Sequence, residues 1–227
     1  RTMMCQRKIP PSLKKWKRYS SNRELILRII RYQNSMAQPI TLKEIKKIGV
    51  VRYDAMRSSL RTGDLVFCSG DYTFSRIIQY FTKSVWSHVG IVYYDVILDR
   101  MLILESEKLY GVRFAPLSKY LKDYHGKNRP YKGKITVARL EPEPGFEDIS
   151  KGLRFGMDEL TKPYDDWEIL RIAIRILFKR GKRVRDRKYI CSELVQACYQ
   201  QAGIRFSYRN KIISPDDIWS DKRLVLK

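Results

Sequence analysis

Three side chains in this sequence are of the kinds that cooperate in acyl transfer, and they stand far apart in the chain. Cys191 lies in Lys188-Tyr-Ile-Cys-Ser-Glu-Leu-Val195. Leu194, Val195, Cys198 and Tyr199 follow it at helical spacing, so it opens, or nearly opens, a helix within Tyr189 to Ala202 that stops at Gly203. Unpaired N–H groups and the dipole at such a tip favour an anion. They favour thiolate and can face a developing oxyanion. The competing reading is a buried structural cysteine. His88 lies in Trp86-Ser-His-Val-Gly-Ile-Val92, at the start of an apolar strand. A strand can hold an imidazole rigidly against a helix tip, as a general base requires. The other histidine, His125, sits in the loop-like Asp123-Tyr-His-Gly-Lys-Asn128. Glu105 ends the next strand. If the two strands pair as a hairpin, its carboxylate can reach and orient the His88 ring. Glu107, two residues on, competes for that role, and either could be an ordinary strand-end acid.

The elements that must position these groups read as α+β. Strands are expected over Asp64–Cys68, Val89–Tyr94, Met101–Leu104, Gly111–Phe114 and Lys134–Leu140, with 89–94 and 101–104 forming a hairpin. Helices are expected over Phe74–Thr82, Gly152–Leu160 and Trp167–Lys179. Near the start, Asn22 caps an expected helix from Arg23 to about Asn34, and Thr41-Leu-Lys-Glu44 reads as a capping box. The expected organisation is a basic helical extension over 1–59 and a single domain over 60–227, with an antiparallel sheet packed on helices.

In combination and in this order, several segments resemble a known family. They are Leu60-Arg-Thr-Gly-Asp-Leu-Val-Phe67, Ser75-Arg-Ile-Ile-Gln-Tyr-Phe-Thr82, Trp86-Ser-His-Val-Gly-Ile-Val92, Leu104-Glu-Ser106, Lys162-Pro-Tyr-Asp165, Tyr189-Ile-Cys-Ser-Glu-Leu-Val195 and Ser214-Pro-Asp-Asp217. They resemble the YiiX-like permuted papain-like amidases of the NlpC-type superfamily. The resemblance spans roughly 60–220 and leaves the basic N-terminal region uncovered. It implies a circularly permuted papain-like fold, with histidine before cysteine in the chain. It further implies Cys191 as nucleophile, His88 as base, Glu105 as the residue that orients the ring, and a thioester intermediate without a cofactor. Gly63 is expected to make a turn and Asp64 a loop hydrogen bond. Trp86 and Ser192 are expected near the cleft; Tyr164 and Asp165 either line it or pack before the next helix.

Composition limits the partners. Lys and Arg number 46 against 24 Asp and Glu, a formal net charge of +22. Such an excess points to an anionic neighbour: nucleic acid, anionic lipid, a polyanionic wall polymer or an acidic protein. Residues 1–60 hold fifteen of the cations and three acids. A second concentration, Lys179, Arg180, Lys182, Arg183, Arg185, Arg187 and Lys188, directly precedes Cys191. It reads as an anion-binding rim or as a solvated loop. Aromatics are not interleaved with it, which argues against a platform for single-stranded nucleic acid. Four cysteines without dense spacing indicate free thiols in a reducing compartment. Two histidines and no Cys-x-x-Cys argue against a zinc site. No apolar run reaches transmembrane length, and the basic opening lacks the apolar centre of a secretory signal.

The expectation is therefore a thiol hydrolase that cleaves an amide in a peptide, a peptidoglycan stem or a lipid. Two alternatives stand beside it. One is a catalytically silent protein on the same fold, held by its basic surface to a larger assembly such as a virion; large DNA viruses carry proteins resembling this family. The other is lipid acyl transfer, since lecithin retinol acyltransferase-like enzymes share the permuted arrangement.

Overall fold

A computed structural model describes residues 47, 51–163, 189–208 and 212–227. The chain divides between two units, Arg1–Ser35 and Met36–Lys227, and every described residue belongs to the second. The helices expected over 23–34 and 167–179, and the capping box at Thr41–Glu44, lie outside the described residues.

The described elements run as follows. A short helix α1 (Tyr53–Met56) and a 3-10 turn lead to strand β1 (Leu65–Gly70) and helix α2 (Thr73–Thr82). Strands β2 (His88–Asp95), β3 (Arg100–Glu107) and β4 (Gly111–Pro116) form a meander, followed by the short helix α3 (Leu117–Lys122) and strand β5 (Gly133–Leu140). Helices α4 (Phe146–Asp158), α5 (Cys191–Gln201) and α6 (Pro215–Trp219) then lead to the closing strand β6 (Leu224–Leu226). The strands form one antiparallel sheet in the order β4-β3-β2-β1-β5-β6.

Alternation along the strands gives the sheet two apolar faces. Val66, Cys68, Val92, Ile103, Ala115 and Val137 pack with Tyr120 and Tyr131 into one core, on which Tyr53 and Met56 of α1 also rest. Helix α5 packs on β2 and β3 and along α4. Leu104, Leu194, Val195 and Tyr199 are fully buried there.

Local chemistry explains the elements that the spacing left out. Helix α4 begins six residues before the expected Gly152. Glu147 and Asp148 fall in its first turn, where acidic groups complement the dipole. Helices α3 and α6 are too short for an apolar period to register. A reciprocal Ser214–Asp217 capping box and Pro215 at the first position start α6. None of the described helices is long and apolar enough to cross a membrane.

Candidate active site

The segment that leads into β2 is held from several sides, and this fixes His88. Lys83 ends α2 in the left-handed region at φ 53°. The Gln79 amide donates to the Val85 carbonyl at 2.9 Å and to the Gly70 carbonyl at 3.2 Å. Ser84 Oγ donates to Asp216 Oδ1 of α6 at 2.8 Å. The Ser87 N–H donates to the Cys68 carbonyl at 2.9 Å. Ser87 Oγ accepts from the Gly70 N–H at 3.1 Å. Trp86 is fully buried against Trp219 and Phe67, with ring centroids 4.7 and 5.6 Å away. His88 thus enters the sheet opposite Cys68 on a strand with little freedom.

From there the ring reaches a fully buried carboxylate. His88 Nε2 lies 2.7 Å from Glu105 Oε2. The contact is diagonal across β2 and β3, whose register sets Ile91 against Leu104. Gly90 lies between the two groups. A Cβ there would come within 2.5 Å of Ile103 Cγ2 and 3.0 Å of the Leu104 carbonyl, so this close strand approach requires glycine. Two further groups hold the carboxylate. Arg113, directly opposite Glu105 on β4, donates to Oε1 from Nε at 2.9 Å. The Tyr120 hydroxyl of α3 donates to Oε2. Burial pushes the Tyr120 phenol far up, which keeps it a donor. Arg113 and Tyr120 were not foreseen. The charge pair with Arg113 becomes visible once the β3–β4 register is known; nothing local marks Tyr120.

Cys191 is the first residue of α5, and Ile190 before it supplies no side-chain cap to the helix N–H groups. Ser106, next to Glu105, donates from Oγ to the Tyr189 carbonyl at 2.6 Å, tying the approach to α5 to the end of β3. Ile190 packs with Phe74, Ile78 and Ile212. Cys191 lies close enough to His88 for hydrogen bonding to the sulfur to raise the imidazole pKa. Since Nε2 faces Glu105, Nδ1 is the ring nitrogen left for the sulfur. Cys191 is 3 % exposed and the His88 side chain 16 % exposed, so solvent reaches the pair from the imidazole side.

Comparison with known proteins gives this geometry its context. Residues 59–219 match the model of a family described as permuted papain-like amidase enzymes, YaeF/YiiX, C92 family. The chain belongs to this family. Among relatives of these permuted papain-like amidases, the uncharacterized protein YiiX of Escherichia coli K12 is 29 % identical over 162 residues, covering 67 % of this chain and 64 % of YiiX. The match thus spans less than two thirds of YiiX. Protein OPG091 of vaccinia virus (strain Western Reserve) is 26 % identical over 154 residues, 68 % of this chain and 73 % of that protein. A crystal structure of the metalloprotein YiiX from Escherichia coli O157:H7 superposes with a TM-score of 0.47 at 26 % identity, covering 65 % and 69 % of the two chains. Among the described residues here, no group of three or more His, Cys, Asp and Glu side chains could hold a metal ion.

The other residues singled out from the permuted papain-like pattern occupy distinct places. Trp86 and Ser192, expected near the cleft, are fully buried; Ser192 Oγ donates to the Ile213 carbonyl at 2.8 Å. Gly63, at φ 92°, makes a turn that favours glycine, and its N–H donates to the Val92 carbonyl at 2.9 Å. Asp64 accepts from Arg139 at 2.6 and 2.9 Å and from the Arg61 N–H at 2.8 Å, so it braces the sheet rather than the cleft. Glu107 lies 3.6 Å from His125, away from His88's ring contact with Glu105. Tyr164, Asp165 and the basic run from Lys179 to Lys188 lie outside the described residues.

The electrostatics favour a charged pair. Burial opposes charge on His88, but hydrogen bonds to Cys191 and Glu105 outweigh it and push its pKa up to about 10. Burial alone would raise the Glu105 pKa, but His88, Arg113 and Tyr120 together hold it below the usual value. His88 is raised above its ordinary 6.5. Its contribution to stability is therefore complete below about 6.5 and lost as pH climbs through about 10. Glu105 is lowered, so its contribution is present above the ordinary Glu range and lost in acid. Thermal melting should show stability declining across the window from about 6.5 to 10, with most of that slope absent in His88→Gln. An identical slope in the variant would show that another group titrates.

Proposed function

We propose that the protein hydrolyses amides through a Cys191 nucleophile, with His88 as proton carrier and Glu105 as the group that orients it. The observation that carries this reading is the His88–Glu105 hydrogen bond beside Cys191, whose proximity raises the imidazole pKa and whose sulfur sits on the first residue of a helix. Its family supports amide hydrolysis by a thiol in general.

In the first half-reaction the Cys191 thiolate attacks the carbonyl carbon. The carbonyl π electrons move to oxygen, and N–H groups at the start of α5 stabilise that charge. The imidazolium gives its Nδ1 proton to the departing amine as the C–N bond breaks, leaving a thioester. In the second half, neutral His88 takes a proton from water, hydroxide adds to the thioester, and the carboxylic acid leaves as thiolate re-forms. Glu105 stays ionised throughout and supports the positive ring by its Nε2 contact. The family's breadth leaves the amide's chemical setting to a substrate survey across peptide, peptidoglycan-stem and lipid-linked amides.

The test is His88→Ala, read by iodoacetamide labelling at Cys191 and by turnover. Arg113 and Tyr120 still satisfy Glu105 in this variant, so the fold should survive and the melt should remain cooperative. At neutral pH the labelling rate should drop about a hundredfold and turnover about 10⁴-fold. A correctly folded variant that labels and turns over like the parent would remove His88 from the reaction.

A further inference from the structure

The turn joining β2 to β3 lies at the end of the hairpin away from His88. Val96, Ile97 and Leu98 occupy it in succession and are 75, 94 and 64 % exposed. Hairpin turns ordinarily carry Gly, Asn, Asp and Ser, because the chain reverses there in water. Three adjacent large aliphatic groups at the tip are a departure that folding does not explain, since each is well over half exposed.

The turn is firmly built. Asp95 Oδ1 accepts from the N–H groups of Ile97 and Leu98, each at 3.0 Å. Asp99 takes the left-handed region at φ 48°. Its carbonyl accepts from Arg57 Nη2 at 2.9 Å, and its carboxylate accepts from the Tyr94 hydroxyl at 2.8 Å. Side chains thus meet much of the turn's polar demand, and the braced backbone keeps the three apolar groups directed outward.

We propose that this tip inserts into the surface of an anionic lipid bilayer. Three side chains on a convex turn offer far less than the roughly 800 Å² per partner of a stable protein interface. Fluid hydrocarbon accepts such a shape without a matching groove. The charges at the turn balance: Arg57 and Arg100 are matched by Asp95 and Asp99. They neither repel the surface nor hold the protein to it. Attraction comes from the chain as a whole, at +22. An anionic leaflet draws in that charge, and the tip then gives the contact depth. The geometry also sets an orientation. His88 and Asp95 lie at opposite ends of β2, about 23 Å apart at roughly 3.3 Å per residue, so a tip-bound protein keeps its imidazole clear of the bilayer. This inference does not depend on the catalytic reading.

The experiment is co-sedimentation of the full chain with vesicles of phosphatidylcholine and phosphatidylserine, and with vesicles of phosphatidylcholine alone. The mixed vesicles should bind the protein, and Ile97→Asp should weaken partitioning about tenfold or more while melting like the parent. In Ile97→Trp, the added emission should shift to the blue on mixed vesicles and be quenched by brominated acyl chains. The proposal is overturned if the parent ignores mixed vesicles, if Ile97→Asp binds them as well as the parent, or if the new tryptophan stays unquenched. It is equally overturned if the tip instead drives concentration-dependent self-association that Ile97→Asp abolishes, which would make it a protein-docking element.

Discussion

Replacing Cys191 by Ala should abolish both thiol labelling and amide turnover, with turnover falling about 10⁴-fold or more. The size follows from the role proposed for the sulfur: without a nucleophile no thioester forms, and only binding and the oxyanion site remain. The other described thiols make the readout clean. Cys68 and Cys198 are buried, and burial pushes both thiols up, Cys198 to about 12, so neither should be alkylated near neutral pH. Cys5 lies outside the described residues, and changing it to Ser removes its signal. Peptide mapping after iodoacetamide treatment then reports on Cys191 alone. Stability should change by no more than about 2 kcal/mol, since one small, nearly buried group is removed. The pH dependence of stability should flatten, because His88 loses its hydrogen-bond partner. An unreactive Cys191 in the parent protein would favour the silent alternative, in which the polar series serves the fold and the basic surface serves binding.

Glu105→Gln should be nearly as damaging to turnover and far more damaging to the fold. The side chain keeps its shape but loses its charge and one acceptor. Arg113 can retain the carbonyl oxygen, which turns the new amide nitrogen towards His88 Nε2 and the Tyr120 hydroxyl. The amide N–H then faces Nε2–H unless the imidazole changes tautomer, the Tyr120 hydroxyl must turn to accept, and the positive ring loses its counter-charge. Replacing the equivalent carboxylate by an amide in a serine protease lowers turnover about 10⁴-fold, a worked case from another protein; a fall of about 10² to 10⁴ is expected here. Removing the buried charge that Arg113 and the imidazolium share should destabilise the protein by about 3 kcal/mol, read from the denaturant midpoint. Glu107→Gln provides the contrast. It sits on the same strand but faces His125 at 3.6 Å, so turnover should change less than threefold, within about 0.5 kcal/mol. Equal losses from the two substitutions would show that the damage is general to the strand end.

The helix that begins at Cys191 and the strand that begins at His88 could be read from the sequence because each is written locally. Leu194, Val195, Cys198 and Tyr199 mark one helical side, and the run from Val89 to Tyr94 marks a strand. The β2–β3 hairpin was readable for the same reason, since few residues separate its arms. Local pattern could not say which glutamate meets the imidazole: Glu105 and Glu107 share a face, and one strand-pairing step separates them. Nor could it show that Trp86 and Ser192 turn into the interior, because burial depends on Trp219 and Ile213, which lie distant in the chain. Arg113 became a partner of Glu105 only through the register of β3 with β4, and Tyr120 only through the docking of α3. The sequence by itself determined which elements carry the sulfur and the imidazole, because backbone periodicity depends on neighbouring residues. The tertiary structure decided which carboxylate joins them and what holds it, because a buried charge is stabilised by groups that only folding brings together.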